Sequence, residues 1–407
     1  MSGPGESIGT PEKPVTQLEQ ARDCIRAMKK AGTLPPDGIT VWIHGGVYER
    51  PKTFELSEQD SGSAEAPIVY RAWEREEPIL TLSRSIDPSS WKPIAESEHS
   101  RLHPHVSGKQ LVELEVSQLG LEPLKPLSDY QMGIALFADG RRQPLAQWPD
   151  RDENVLDVNQ PGWTTCHGSR DAQSFYFGKG GDPQNDRDAA NQVDHDGTNR
   201  SARWKSSIDQ GRELWLRGFW RAPWIPEPIR MVDIDPEERW IQLARSPGGG
   251  MGSKYTSQAG DGYRRGSGTE RWFAVNMLEE LNRPGEWILD FQAQKIYLYP
   301  PGPLDGTALS VSCGSERGIR LSGCEHVAIE GLVIEGCNDN AIQIERSSDV
   351  AVAGCTVRNC YNGIEVAQSR DFTIQSNDIS AIGHSAVLLE DCGDREKLIR
   401  SEATFRN

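Results

Sequence analysis

No stretch of eighteen apolar residues occurs anywhere in the 407-residue chain, so no segment reads as a membrane-spanning helix. Basic residues are in deficit: 44 Lys and Arg stand against 60 Asp and Glu, for a formal charge of −16 and a pI near 5.1. A polyanion-binding surface needs clustered cations, so nucleic acid is not an expected partner. Cysteine is scarce as well. The eight at positions 24, 166, 313, 324, 337, 355, 360 and 392 contain no CxxC pair, which leaves no zinc or redox motif and too low a density for a disulfide scaffold. The opening Met1-Ser2-Gly3-Pro4-Gly5 lacks the basic region and apolar stretch of a signal peptide, so no export address is expected in this chain. The hydrophobic share of 36 % excludes 40 glycines; with them the apolar content is ordinary for a globular protein, and the length suffices to bury a core.

What the chain does have is a repeat. Gly318-Ile319-Arg320-Leu321, Ala341-Ile342-Gln343-Ile344, Gly363-Ile364-Glu365-Val366 and Ala386-Val387-Leu388-Leu389 recur at steps of 23, 22 and 23 residues. Two further tracks keep the same step, Val327-Ala328-Ile329 with Val350-Ala351-Val352 and Phe372-Thr373-Ile374, and a third aligned on Ile334, Val357 and Ile379. Three short alternating segments per unit, separated by Gly, Asn, Ser and Asp, predict one coil of a right-handed parallel β-helix. Neither a leucine-rich signature nor ten-residue helical windows accompany the repeat. Cys337 and Cys360 occupy equivalent positions one coil apart and are expected to stack as a reduced, inward-facing pair.

Upstream, Thr16-x-x-Glu19 reads as a capping box opening a helix whose apolar face is Leu18, Ala21, Ile25 and Met28, with Gly32 placed to stop it. Such a helix suits the blunt end of a β-helix, whose core must be covered. The expected organisation is therefore all-β: residues 1–130 form the N-terminal capping helix and first coils, 131–300 an inserted β-rich, sandwich-like domain, and 301–407 the regular coils. Nine of the twelve tryptophans fall between Trp148 and Trp287, within the insertion. Its segments 182–199 and 246–268, one acidic and one rich in Gly and Ser, read as long surface loops.

Several stretches carry a family likeness: Gly9-Thr10-Pro11-Glu12-Lys13-Pro14 with Leu18-Glu19-Gln20-Ala21-Arg22-Asp23, His44-Gly45-Gly46-Val47-Tyr48, Asp60-Ser61-Gly62-Ser63-Ala64-Glu65-Ala66-Pro67-Ile68, Asp139-Gly140-Arg141-Arg142 with Trp148-Pro149, and Leu278-Glu279-Glu280-Leu281 with Pro284-Gly285-Glu286-Trp287. In this order they resemble bacterial right-handed parallel β-helix carbohydrate-active enzymes close to glycoside hydrolase family 141. The resemblance implies a secreted or periplasmic polysaccharide-active enzyme, with a strand before Gly9 and further coils after Asn407, so the chain is expected to be a truncated member. Gly393-Asp394-Arg395 matches the family's Gly-Asp-Arg, whereas Gly383-His384-Ser385-Ala386 stands where relatives read Gly-Asp-Gly-Gly.

Coils stack about 4.8 Å apart, so equivalent side chains form rows. Strand alternation points Arg320, Gln343, Glu365 and Leu388 outwards, and the preceding turn adds Asp339-Asn340, Tyr361-Asn362 and His384-Ser385. Glycoside hydrolysis needs two carboxyl groups, about 5–5.5 Å apart for retention and about 6.5–9.5 Å for inversion, spacings close to one and two coils. The expected catalytic residues are Asp394, Asp339 and Glu365, assisted by His384, with Asn340, Asn362, Gln343 and Asp391 on the substrate and Trp220 and Trp224 as stacking platforms. The expected function is a glycosidase on a plant or algal polysaccharide; a polysaccharide lyase or a non-catalytic sugar-binding fragment are the alternatives. Asp194-His195-Asp196-Gly197 begins like a calcium loop but lacks the remaining ligands, so the expectation is no cofactor, with Ca2+ the alternative. No protein partner is implied.

Overall fold

The computed structural model describes residues 9–10, 13–121, 123–124, 134–150, 162–177, 193–221, 226–248, 250–251, 270–393 and 400–406. In the unit formed by residues 1–85 and 310–407, the three sequence tracks become three parallel sheets. The first stacks Ile39–Ile43, Ile68–Ala72, Glu325–Glu330, Ser348–Ala353, Thr373–Gln375 and Thr404–Arg406; the second stacks Gly46–Glu49, Pro78–Thr81, Val333–Glu335, Thr356–Arg358 and Asp378–Ser380; the third stacks Phe54–Ser57, Ile319–Ser322, Asn340–Glu345, Asn362–Ala367 and Val387–Glu390. This is the expected all-β parallel β-helix. Alternation sends Phe54, Leu56, Ile319, Leu321, Ile342, Ile344, Ile364 and Val366 of the third sheet into one core, where they meet Ile68, Tyr70, Ile329 and Val357 of the other two.

Turns are equally regular. Left-handed backbone recurs at Gly323, Arg346, Gln368 and Asp391, one residue per coil after the third sheet. Before that sheet the row is Gly318, Ala341, Gly363, Ala386, and a Cβ on Gly363 would lie 2.2 Å from the Ala386 carbonyl oxygen, so the close stacking of backbones requires the glycine. Cys337 and Cys360 are both buried free thiols, and Cys360 Sγ rests 3.2 Å from the Arg358 carbonyl. Helix α1, Leu18–Ala31, lays Leu18, Ala21 and Ile25 onto the unit and ends at the left-handed Gly32. Its start differs from expectation. Gln17 is the N-cap and makes no side-chain cap bond, while Gln20 Oε1 accepts from the Thr16 amide at 3.1 Å; Met28 stays 41 % exposed. What holds α1 in place instead is charge: Arg26 grips Asp60 at 2.7 and 2.6 Å, and Arg50 pairs with Glu19.

The chain leaves the β-helix at residue 85 rather than near 130. Residues 86–309 form the second unit, in which Val112–Glu115 pairs antiparallel with Lys295–Leu298 and so cannot belong to a parallel coil. Its largest sheet is antiparallel, built from Gln147–Trp148, Arg271–Val275, Leu214–Gly218, Glu227–Asp235, Trp240–Leu243 and Ser174–Tyr176, with Thr164–Thr165 beside Arg271–Val275. Helix α2, Arg200–Asp209, packs on this sheet, an element absent from the expected sandwich-like organisation. The tryptophans fill this unit's core: Trp204, Trp220, Trp272 and Trp287 are fully buried.

Beneath α2 lies a set of buried ion pairs. Glu280 accepts from Arg200 Nε at 3.0 Å, Arg203 Nη2 at 3.1 Å and Trp204 Nε1 at 2.9 Å, and Glu279 meets Arg101 Nε at 2.8 Å. The Leu278-Glu279-Glu280-Leu281 motif is thus a structural anchor. Glu280→Ala removes the carboxylate shared by buried Arg200 and half-buried Arg203, and urea unfolding is expected to show a loss of about 3–5 kcal/mol. Nearby, burial pushes the Glu286 carboxyl up to about 8, against the two amides of Asn282 and Arg283 that it accepts at 3.0 Å each. A carboxyl raised in the folded state contributes stability in full below its unfolded value and loses it as pH rises through the folded one. Wild-type protein is therefore expected to lose more melting temperature between pH 5 and pH 9 than Glu286→Gln.

Candidate active site

The third sheet of the β-helix brings together most of the expected site. Register aligns Glu55, Arg320, Gln343, Glu365 and Leu388 as one outward row, and Asn340 with Asn362 as a second. Around Glu365 these rows close into a hydrogen-bonded chain. Gln343 Nε2 donates to Glu365 Oε1 at 3.0 Å and Asn340 Nδ2 to Glu365 Oε2 at 2.8 Å. Asn362 Nδ2 in turn donates to Asn340 Oδ1 at 2.9 Å. Asn362 Oδ1 lies 3.2 Å from His384 Nδ1 and accepts from the Ser385 amide at 3.3 Å. The His384 ring stacks on Tyr361 of the coil before, with centroids 5.5 Å apart and planes 10° from parallel.

Each member has a distinct environment. Asn340 and Gln343 are buried, Glu365 is half-buried, and His384 is exposed. Both Glu365 oxygens are thus oriented by amides from the neighbouring coil while the side chain keeps access to solvent. A carboxylate held this way is an acceptor of fixed direction. Asp339 turns elsewhere: its Oδ2 lies 3.2 Å from Arg317 Nη2 and its Oδ1 accepts from the Asn340 amide at 2.9 Å. Arg320 is paired with Glu345, and with Glu55 at 3.5 Å.

Two expected residues do not join this group. Asp391 occupies the left-handed turn after its strand, at the opposite end of the third sheet from Asp339. A strand such as Asn340–Glu345 separates those ends by roughly 15–20 Å at about 3.3 Å per residue, too far to flank one glycosidic bond. Trp220 is 1 % exposed, with Nε1 donating to the Glu227 carbonyl at 2.8 Å and its ring against Phe175; a side chain packed on all sides offers no stacking platform. Asp394 and Trp224 lie outside the described residues. Reading the sequence missed Arg317 and Glu345. Arg317 precedes Gly318 in the same turn row as Asn340 and Asn362, so extending that row one coil upstream would have found it.

Asp194 and Asp196 are committed to α2: Asp194 accepts from the Ser201 amide at 2.8 Å and Asp196 from Arg200 Nη2 at 2.8 Å.

Residues 307–407 match the family described as the right handed beta helix region, the fold class the coils define. A solved structure titled "Glycoside hydrolase" is similar with a TM-score of 0.52 and 15 % identity, over 92 % of this chain and 71 % of that one, a likeness that shows the fold alone. Another, titled "The complex structure of XylC with xylose", has a TM-score of 0.36 and 11 % identity, over 94 % of this chain and 54 % of that one. No curated protein matches the chain in sequence.

Asn340 links two coils and Glu365 at once. Asn340→Ala takes the partner from Asn362 Nδ2 and from Glu365 Oε2, and denaturant unfolding is expected to show a cost of about 1–3 kcal/mol.

Proposed function

We propose that this chain is a carbohydrate-active β-helix protein of the glycoside hydrolase type, binding a polysaccharide along the outer face of its third sheet and using Glu365 on the glycosidic bond. The carrying observation is the Glu365 carboxylate, held at both oxygens by Gln343 and Asn340 yet half open to solvent. Asn362, His384 and Ser385 extend the same row with groups that donate to and accept from sugar hydroxyls. Asp339 and Asp394 are the candidates for the second carboxyl. A partner one coil from Glu365 suits retention and one two coils away suits inversion, given coil stacking of about 4.8 Å.

Charge supports a neutral polymer over a uronate. A lyase needs a cation against the substrate carboxylate, and both Arg317 and Arg320 on this face are already paired with carboxylates. The test is incubation with a panel of neutral and acidic polysaccharides, reading reducing ends and ultraviolet-absorbing products. Release of reducing ends that falls at least about 100-fold in Glu365→Gln, with melting unchanged, is the expected result. Unsaturated products would establish the lyase instead, and binding without either product would leave a non-catalytic sugar-binding protein.

A further inference from the structure

The 86–309 unit contains a pocket of about 590 Å³ lined by His103, His105, Trp148, Asp150, Trp163, His195, Asp196, Arg200, Asn282 and Arg283 among others. Its size falls in the range of small-molecule sites. Five segments, around residues 103–105, 148–150, 162–163, 195–196 and 282–283, and the first turn of α2 supply the walls, and two opposite charge pairs among them cancel. Asp150 pairs with Arg283 at 2.8 Å, and Asp196 with Arg200 at 2.8 Å. Arg200 is fixed further by Glu280 and by the Val193 carbonyl at 2.6 Å, and its guanidinium lies 4.6 Å from the Trp148 ring centre. His103 Nδ1 accepts from the His105 amide at 3.3 Å, which leaves Nε2 to carry the proton of the neutral ring. Burial, with Arg203 and Arg200 nearby, pushes this imidazole down to about 4, so it adds no charge near pH 7.

Two features ask for a partner. Asn282 donates through Nδ2 to Asp150 at 3.3 Å, while its Oδ1 is buried with no hydrogen-bond partner among the described residues. Trp163 is half-buried, backed by Phe219 at 4.9 Å and Phe273 at 4.7 Å, a rigid aromatic wall in a pocket whose surface is largely apolar and carries a few charged and amide side chains. An anion would find Arg200 and Arg283 already neutralised. Among the described residues no group of three or more His, Cys, Asp or Glu could hold a metal ion. A purely apolar ligand would leave the carboxylates, the amide and the imidazoles desolvated. A ligand with vicinal hydroxyls, each able to donate and accept, and with an apolar ring face matches every wall.

We propose that this pocket is a binding site for a neutral saccharide of one or two pyranose units, stacked on Trp163 and hydrogen-bonded by Asp150, Asn282 and Arg283. The pocket is built by residues of the 86–309 unit alone, and its occupation does not rest on hydrolysis at the third-sheet face. Isothermal titration of the whole chain with xylobiose, cellobiose, mannobiose and galactobiose, and with digalacturonate as the anionic counterpart, tests it. The expected result is that at least one neutral disaccharide binds, more tightly than digalacturonate. Trp163→Ala and Arg283→Ala should each weaken that binding about tenfold or more. The Arg283 side chain is 52 % exposed, so that variant decides the matter where Trp163→Ala fails to fold. Absence of binding by every neutral disaccharide, equal affinity in wild type and Arg283→Ala, or preference for digalacturonate would each overturn the proposal. Reducing-end release reads the third-sheet face, and the dependence of binding on Trp163 and Arg283 reads the pocket, so the two can fail separately.

Discussion

Backbone stacking at the parallel-strand spacing is the constraint on which the β-helix depends. Each side chain meets its counterpart one coil away at about 4.8 Å, so a position tolerates only what its neighbours above and below tolerate. Apolar rows such as Phe54, Ile319, Ile342 and Ile364 follow from that rule. The same rule concentrates function: Asn340 over Asn362 and Gln343 over Glu365 are adjacent because their strands are, and amides so placed orient a carboxylate with no long loop to order.

This is also why the coils were legible in the sequence. A 22–23-residue step with three alternating tracks records three-dimensional neighbours directly, and the outward set of Arg320, Gln343, Glu365 and Leu388 follows from alternation alone. Legibility fails where contact is not periodic. Val112–Glu115 has the alternation of a strand, but only its antiparallel partner Lys295–Leu298 shows which unit owns it. Trp220 could be read as a platform because its flanking Gly and Pro suggest a loop; burial against Phe175 comes from sheet packing that no local pattern encodes. At α1 the local signal was overruled, since ion pairs from Arg26 and Arg50 to distant residues position the helix without the expected capping box.

The second unit is organised on a different principle. Where the β-helix core repeats one apolar environment, residues 86–309 bury single, non-repeating charges, with Glu279 and Glu280 at the centre of arginines drawn from positions 101, 200 and 203. Buried ion pairs lend specificity of arrangement more readily than net stability. The pocket inherits that specificity, because Arg200 reaches it from a position fixed by Glu280.

Placing the excursion within a single coil has a temporal consequence. Phe54–Ser57 is paired in register by Ile319–Ser322, and the strand ending in Thr81 is followed by residues 86–309 before that partner is made. At synthesis rates of about 5–20 residues per second, the first third-sheet strand waits on the order of ten to fifty seconds for its neighbour. The antiparallel unit can be complete before the third sheet gains its second strand, and the regular coils, each finished within seconds of the last, then add to a surface already laid down.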